Sequence, residues 1–154
     1  MRAIMLSSCL LLASAPAALA QGTPSTPMGL HWLPAPAVFP KGAQMVVISG
    51  DPGKPAPFTV ELLFPGGYRI PPHFHPTDEV VEVKQGTFLF GMGDTFDASK
   101  TKTMKAGDKG SVKANMHHFA ASKGHTIVAV TAMGPFAMTY VHPADDPRPQ
   151  PVKP

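Results

Sequence analysis

The sequence predicts an all-β fold, a sandwich or barrel of short strands, on three observations. Nineteen prolines and fourteen glycines disfavour long helices and supply frequent turns. Apolar, strand-like runs recur at short intervals between these turn signals, and no long stretch has helical periodicity. Without its N-terminal leader the chain has about 134 residues, which is the size of one domain.

Residues 1–20 have the pattern of a signal peptide. Arg2 gives a positive start, residues 4–12 form an apolar run too short to span a bilayer, and Ala18-Leu19-Ala20 is an A-x-A cleavage signal. We therefore expect an exported protein, periplasmic or secreted, with no membrane segment after cleavage. Cleavage would also remove Cys9, the only cysteine, so we expect neither a disulfide nor a thiolate ligand in the mature chain.

Residues 21–43 are rich in proline and small side chains, and we interpret them as an extended N-terminal arm. Its apolar centre contains Trp32, which we expect to pack on the domain or on a partner subunit. Residues 143–154 are polar and proline-rich and are interpreted as a C-terminal tail. The β-barrel would then comprise residues 44–142.

Within that span the apolar runs and turn residues predict short strands. Gln85-Gly86 is interpreted as a tight hairpin turn between two of them. The predicted strands are 44–49, 58–64, 78–84, 87–92, 101–105, 109–114, 117–122, 125–132 and 136–141.

The charge balance gives no indication of a nucleic-acid partner. Without Arg2 the thirteen Lys and Arg side chains become twelve, against ten Asp and Glu. The mature chain has no basic run of five or more residues, so we expect no nucleic acid to bind.

His73, His75 and Glu79 predict half of a metal site. Residues two apart on a strand share a face, about 6.6–6.8 Å from each other, so two imidazoles can lean onto one ion at metal–nitrogen distances of about 2.0–2.1 Å. Pro71-Pro72 stiffens the chain before the pair. Pro76-Thr77 offers a turn, after which the Glu79 carboxylate can return to the same point.

A second pair of histidines, His117 and His118, lies in a later strand that a barrel can bring beside the first pair. Adjacent strand residues point to opposite faces, so only one of the two is expected to bind. From the residues alone the choice stays open.

Around these histidines the chain resembles the cupin superfamily. The first cupin motif is G-x5-H-x-H-x3-E-x6-G, and its fixed positions are all matched, by Gly67, His73, His75, Glu79 and Gly86. The resemblance covers roughly residues 46–141.

The second cupin motif, G-x5-P-x-G-x2-H-x3-N, is matched in part. Gly107 and His118 fall at the motif's spacing, whereas Lys113, Asn115 and Ser122 stand where Pro, Gly and Asn are usual. Asn tolerates the left-handed backbone region, so Asn115 can replace the glycine.

The resemblance, to a small exported bacterial single-domain cupin of the type-2 kind, implies a jelly-roll β-barrel with one metal ion in its mouth, commonly as a homodimer. Motif spacing assigns His118 as the fourth ligand beside His73, His75 and Glu79, with His117 as the alternative. This set suits one divalent transition metal; Fe(II) or Mn(II) is favoured, and Zn(II), Ni(II) or Cu(II) also fit.

Three residues are candidates for substrate binding. Phe88 and Phe90 share one strand face with Met92 and either line a pocket for a small ligand or, as we favour, pack in an ordinary core. Tyr140 either orients a substrate or lies at the barrel rim.

The metal site is the only chemistry that the sequence displays, since it has neither a G-x-S-x-G motif nor a phosphate loop. We favour a dioxygenase-like oxidoreductase acting on a small organic molecule, with two metal positions left for O₂ and a chelating substrate. The alternatives are a non-catalytic module that binds a small ligand or metal, and a metal-dependent hydrolase or isomerase. The sequence identifies no catalytic acid or base beyond the candidates Tyr68, Tyr140 and His117, so whether the chain is an enzyme stays open.

Overall fold

The computed structural model describes residues 29–150. The predicted signal peptide, residues 21–28 of the predicted arm and residues 151–154 lie outside the described part. The strands are β1 Leu33–Pro34, β2 Gln44–Ser49, β3 Pro57–Phe64, β4 Arg69–Phe74, β5 Glu79–Met92, β6 Lys102–Lys105, β7 Lys109–Val112, β8 His118–Met133 and β9 Thr139–Tyr140, with short 3₁₀ turns at Ala98–Lys100 and Pro143–Asp145. Across residues 29–150 no helix has the length and apolar character needed to cross a membrane.

All strand pairs are antiparallel and form one curled sheet. One half runs β1-β2-β3-β8-β5-β7 and the other runs β9-β4-β8-β5-β6, so the long strands β5 and β8 belong to both halves. The predicted all-β barrel is therefore confirmed.

The core lies between the two halves, and β3 shows why these residues form strands. Its side chains alternate with a period of two, the pattern of a strand with one buried face. Phe58, Val60, Leu62 and Phe64 are each at most 4% exposed, whereas the side chains between them are only half-buried. Burial of this apolar face in the core is the main stabilising contribution of the strand.

The predicted hairpin at Gln85-Gly86 is wrong, because β5 continues without reversal through these residues. Its first half pairs with β7 and its second half with β6, while β8 runs beside both. Gly86 has a φ of 83°, and a Cβ there would lie 2.3 Å from the carbonyl oxygen of His125. The glycine is needed for a β-bulge and a close backbone approach, not for a turn.

The strands predicted at 117–122 and 125–132 are likewise one strand, β8. Between Gln85 and Thr87 on β5, the facing positions on β8 move from Ile127 to Lys123. The additional β8 residues form a bulge that bends the strand from one half of the sheet into the other.

Three other predicted strands are shorter than expected, and at two of them a side chain from another segment bonds to the backbone at the strand's end. The Ala114 N–H donates to the carboxylate of Asp78, so β7 ends at Val112. The Ala137 carbonyl accepts from His75, and only Thr139–Tyr140 of the predicted last strand is paired. The strand predicted at 101–105 begins one residue later, as β6.

The described part of the predicted arm packs against the barrel. β1 pairs with β2, and Val38 is buried in the core. The Tyr140 hydroxyl donates to the Val38 carbonyl at 2.7 Å, and the Tyr68 hydroxyl donates to the Pro40 carbonyl. Trp32 is half-buried. The segment is thus attached to the barrel by side chains that lie far away in sequence.

Thr126 holds the bulge of β8 against β5. It is fully buried, and its hydroxyl accepts from the Thr87 N–H at 3.3 Å and donates to the Thr87 carbonyl at 3.0 Å. One side chain therefore satisfies both backbone groups of Thr87 where the bulge interrupts the ladder.

Thr126→Val should lower the free energy of unfolding by about 1–3 kcal/mol, because it removes the hydroxyl partner of two backbone groups while keeping the shape of the side chain. Urea unfolding followed by circular dichroism measures this. The matched control is Thr131→Val on the same strand, whose exposed hydroxyl bonds, among the described residues, only to Thr59; its cost should stay within about 0.5 kcal/mol. Equal costs for the two variants would contradict this role of Thr126.

Candidate metal centre

Three buried histidines converge in the wall of the barrel cavity. Candidate ligand nitrogens of His73, His75 and His118 all lie within 4.8 Å of one another. His73 on β4 faces His118 on β8 directly across the ladder, with ring centroids 4.1 Å apart. His75 follows the end of β4, and its ring centroid lies 5.1 Å from that of His73 and 5.3 Å from that of His118.

Backbone carbonyls hold each imidazole in the same tautomer. The Nδ1–H groups donate to Pro71 from His73 at 2.7 Å, to Ala137 from His75 at 2.8 Å, and to Met116 from His118 at 3.0 Å. A carbonyl can only accept, so Nδ1 must carry a proton, and in the neutral ring the Nε2 lone pair is free. Such outer-shell hydrogen bonds are typical of metal-binding histidines, because they fix the ring and raise its basicity.

Glu79, the first residue of β5, joins two of the three rings. Its Oε2 atom lies 3.5 Å from Nε2 of His75 and 3.5 Å from Nε2 of His118, and the residue is buried. The structure thus brings all four predicted ligands to one site.

The electrostatics of the four groups favour a bound cation. Burial, with the neighbouring His118 and His75, lowers the pKa of His73 well below its usual value. Burial opposes the charge on Glu79, but when the imidazoles are protonated, the hydrogen bond from His118 and the attraction of His75 and His118 outweigh it and lower the pKa of Glu79. A buried carboxylate needs a cationic partner, and these imidazoles are cations only when protonated. A divalent metal between them would meet the same need, so the donor set fits a first-row divalent ion.

The two adjacent histidines of the later strand point to opposite sides. His118 is 2% exposed and faces the cavity. His117 lies outside, with Nδ1 2.6 Å from Asp94 Oδ1 and its ring stacked on Phe74 at 5.1 Å. The alternation expected of a strand therefore places His118, and not His117, beside the other ligands.

The turn before His118 is attached to the segment that carries His75. Asn115 has a φ of 62°, so it does take the left-handed backbone expected of it in place of glycine. Its N–H donates to the His75 carbonyl at 2.8 Å, and Asp78 accepts from both the Ala114 N–H and the Lys113 Nζ. Lys113, which stands in place of the motif's proline, forms an exposed ion pair with Asp78 at 2.7 Å, a contact that contributes little by itself.

The histidines open into an apolar cavity of about 70 Å³. Phe88 and Phe90 both line it, and Phe90 stacks on His118 with centroids 5.5 Å apart. Phe88 also belongs to the core, so it has both of the roles considered from the sequence. Tyr140 is not among the residues that line the cavity, since its ring lies behind His73 and its hydroxyl is bonded to Val38.

Sequence reasoning missed Phe136 and the Ala137 carbonyl. Phe136 lines the cavity, and its ring centroid lies 5.4 Å from that of His75; the next residue accepts the His75 Nδ1–H. Both lie more than sixty residues from His75, and no local pattern connects them. The carbonyls of Pro71 and Met116 lie two residues before the histidines that they orient. These two contacts are local in sequence and could have been predicted from it.

Comparison with known proteins identifies the fold. No family model and no curated relative matches the chain. Among solved structures, the polyketide cyclase RemF from Streptomyces resistomycificus is 15% identical, with a TM-score of 0.65 over 82% of this chain and 90% of that one. A proposed acetylacetone dioxygenase from Methylibium petroleiphilum is 19% identical, with a TM-score of 0.59 over 85% and 90%.

An RmlC-like cupin from Shewanella frigidimarina is 18% identical, with a TM-score of 0.55 over 71% of this chain and 87% of that one. At such identities the likeness concerns the fold and not the reaction. The strand order, the curled sheet and these neighbours lead to one conclusion: the chain has the jelly-roll fold of the cupin superfamily.

Proposed function

We propose that the chain is an exported, metal-dependent oxidoreductase of the dioxygenase type that acts on a small organic molecule. Its ligands for one divalent transition metal are His73, His75, Glu79 and His118. The observation that carries the proposal is the convergence of three imidazoles and one carboxylate in the wall of an apolar cavity.

The residues of the site have distinct roles. The three imidazoles, held through Nδ1, present Nε2 to the ion, and Glu79 supplies the negative charge that lowers the charge of the centre. Phe90 and Phe136, beside His118 and His75, exclude water from the place where a substrate would sit. Fe(II) or Mn(II), the favoured ions, would supply Lewis acidity and a centre for O₂ chemistry when bound.

The comparisons support this class of reaction. One structural neighbour is a proposed acetylacetone dioxygenase, and an apolar cavity suits a small carbon-rich substrate. Another neighbour is a polyketide cyclase, which favours a second candidate: a metal-dependent reaction that uses no O₂. Export is proposed from the signal-peptide pattern, and a homodimer from the cupin resemblance.

His118→Ala should weaken metal binding by more than about 100-fold, since losing an outer-shell partner alone costs 10–100-fold. Metal analysis of the purified protein and calorimetric titration with Mn(II) or Zn(II) measure this. His117→Ala is the matched control and should keep the affinity of the unsubstituted protein, because that ring faces Asp94 outside the cavity. Loss of metal in the His117 variant, with occupancy kept in the His118 variant, would refute the proposed ligand set.

Protein reconstituted with Fe(II) or Mn(II) should consume O₂ in the presence of a substrate from a panel of small phenols, diketones and thiols. An oxygen electrode measures uptake, and product analysis accompanies it. The His73→Ala variant and Zn(II)-loaded protein should show none. Product formation with Zn(II) and without O₂ uptake would favour the second candidate, and no product with any metal would favour a binding module.

A further inference from the structure

Polarity in the cavity is confined to one cluster of side chains. Apart from His73, His75, Glu79 and His118, every residue that lines it is apolar, and six are phenylalanines: Phe39, Phe58, Phe64, Phe88, Phe90 and Phe136. Within residues 29–150, the lining therefore contains no side-chain amide, hydroxyl, ammonium or guanidinium group.

The backbone around the cavity offers little more to a polar ligand. The walls are formed mainly by β3, β5 and β8, whose N–H and C=O groups bond to one another in ladders. A ligand group that entered this region would lose its water without gaining a hydrogen bond or a counter-ion. For a carboxylate or an ammonium that penalty is large.

Aromatic rings adjoin the polar cluster. Phe90 stacks on His118 at an interplanar angle of 28°, and the Phe136 ring lies 5.4 Å from that of His75. Phe136 also stacks on Phe39 with centroids 6.0 Å apart. A ligand at the imidazoles thus meets flat apolar surfaces immediately beyond its ligating atoms, and such surfaces favour planar hydrocarbon.

We propose that the cavity selects an uncharged, largely planar molecule that carries its oxygens at one end only, such as an unsubstituted or alkyl-substituted catechol or a hydrophobic 1,3-diketone. The oxygens face the histidines, and the hydrocarbon part packs against the phenylalanines that line the cavity. The inference rests on the proposed function in one respect, that the oxygens meet a metal held by the four ligands.

The test compares two probes that differ only at the far end, 4-methylcatechol and 3,4-dihydroxybenzoate. Calorimetric titration of each probe into Zn(II)-loaded protein measures binding without turnover. Titration of each probe with free Zn(II) corrects for any difference in the intrinsic affinity of the two catechol groups for the ion. After that correction the methyl probe should bind at least about tenfold more tightly. Equal affinity, tighter binding of the carboxylate, or failure of both probes to bind would overturn the proposal.

A matched pair of variants tests whether the preference for the methyl probe arises inside the cavity. Met45 on β2 is half-buried and lines the cavity, whereas its neighbour Gln44 is exposed and does not line it. Met45→Lys should reduce or reverse the preference for the methyl probe by about tenfold, because the ammonium supplies a partner for the carboxylate. Gln44→Lys, which adds the same charge, should leave the preference unchanged. If both variants alter it equally, selection is not made inside the cavity.

The two proposals fail in different ways. O₂ uptake with acidic and neutral catechols alike would sustain the oxidoreductase and refute the selection of uncharged ligands. Tighter binding of the methyl probe, without O₂ uptake for any metal or substrate, would sustain the selection of uncharged ligands and refute the oxidoreductase. The probe comparison uses the unsubstituted protein, so it stays decisive even if Met45→Lys does not fold.

Discussion

The ladder between β5 and β8 is the constraint on which the rest of the structure depends. Glu79 begins β5 opposite Ala132, and His118 begins β8 opposite Met92. If the fourteen residues of β5 formed a flat ladder, these two ends would lie roughly 44 Å apart at about 3.4 Å per residue. Instead, Glu79 Oε2 is 3.5 Å from His118 Nε2. The bend at the bulge therefore closes the barrel and assembles the site in one step, so the fold and the candidate chemistry depend on the same few residues.

The polar groups of the candidate metal site are arranged for binding at some cost to stability. Each Nδ1–H has a carbonyl partner, which offsets the burial of that side of the ring. The three Nε2 atoms and the Glu79 carboxylate stay directed at one another, and a buried carboxylate without a cation is costly. A metal that binds the folded chain more tightly than the unfolded one would stabilise the folded state by mass action and offset part of this cost.

The N-terminal segment completes the cavity and is held by groups remote in sequence. Phe39 lines the cavity and stacks on Phe136, and the tyrosine hydroxyls of residues 68 and 140 donate to carbonyls of this segment. Burial raises the pKa of both tyrosines, so both remain protonated donors across the physiological range. The segment before β2 is thus part of the wall that a ligand would meet.

Short-range sequence patterns were enough to predict the fold class of this protein and its candidate metal ligands. Proline and glycine placement predicted the all-β class, and motif spacing selected His118 over His117. Tertiary structure decided what Gly86 does, because a positive φ serves a turn or a bulge equally well and only the facing strand distinguishes them. It also decided the partner of His75 Nδ1, a carbonyl sixty-two residues away, and the recruitment of Phe39 and Phe136 to the cavity. Such contacts arise when a curled sheet brings distant strands together, and no spacing within a single segment encodes them.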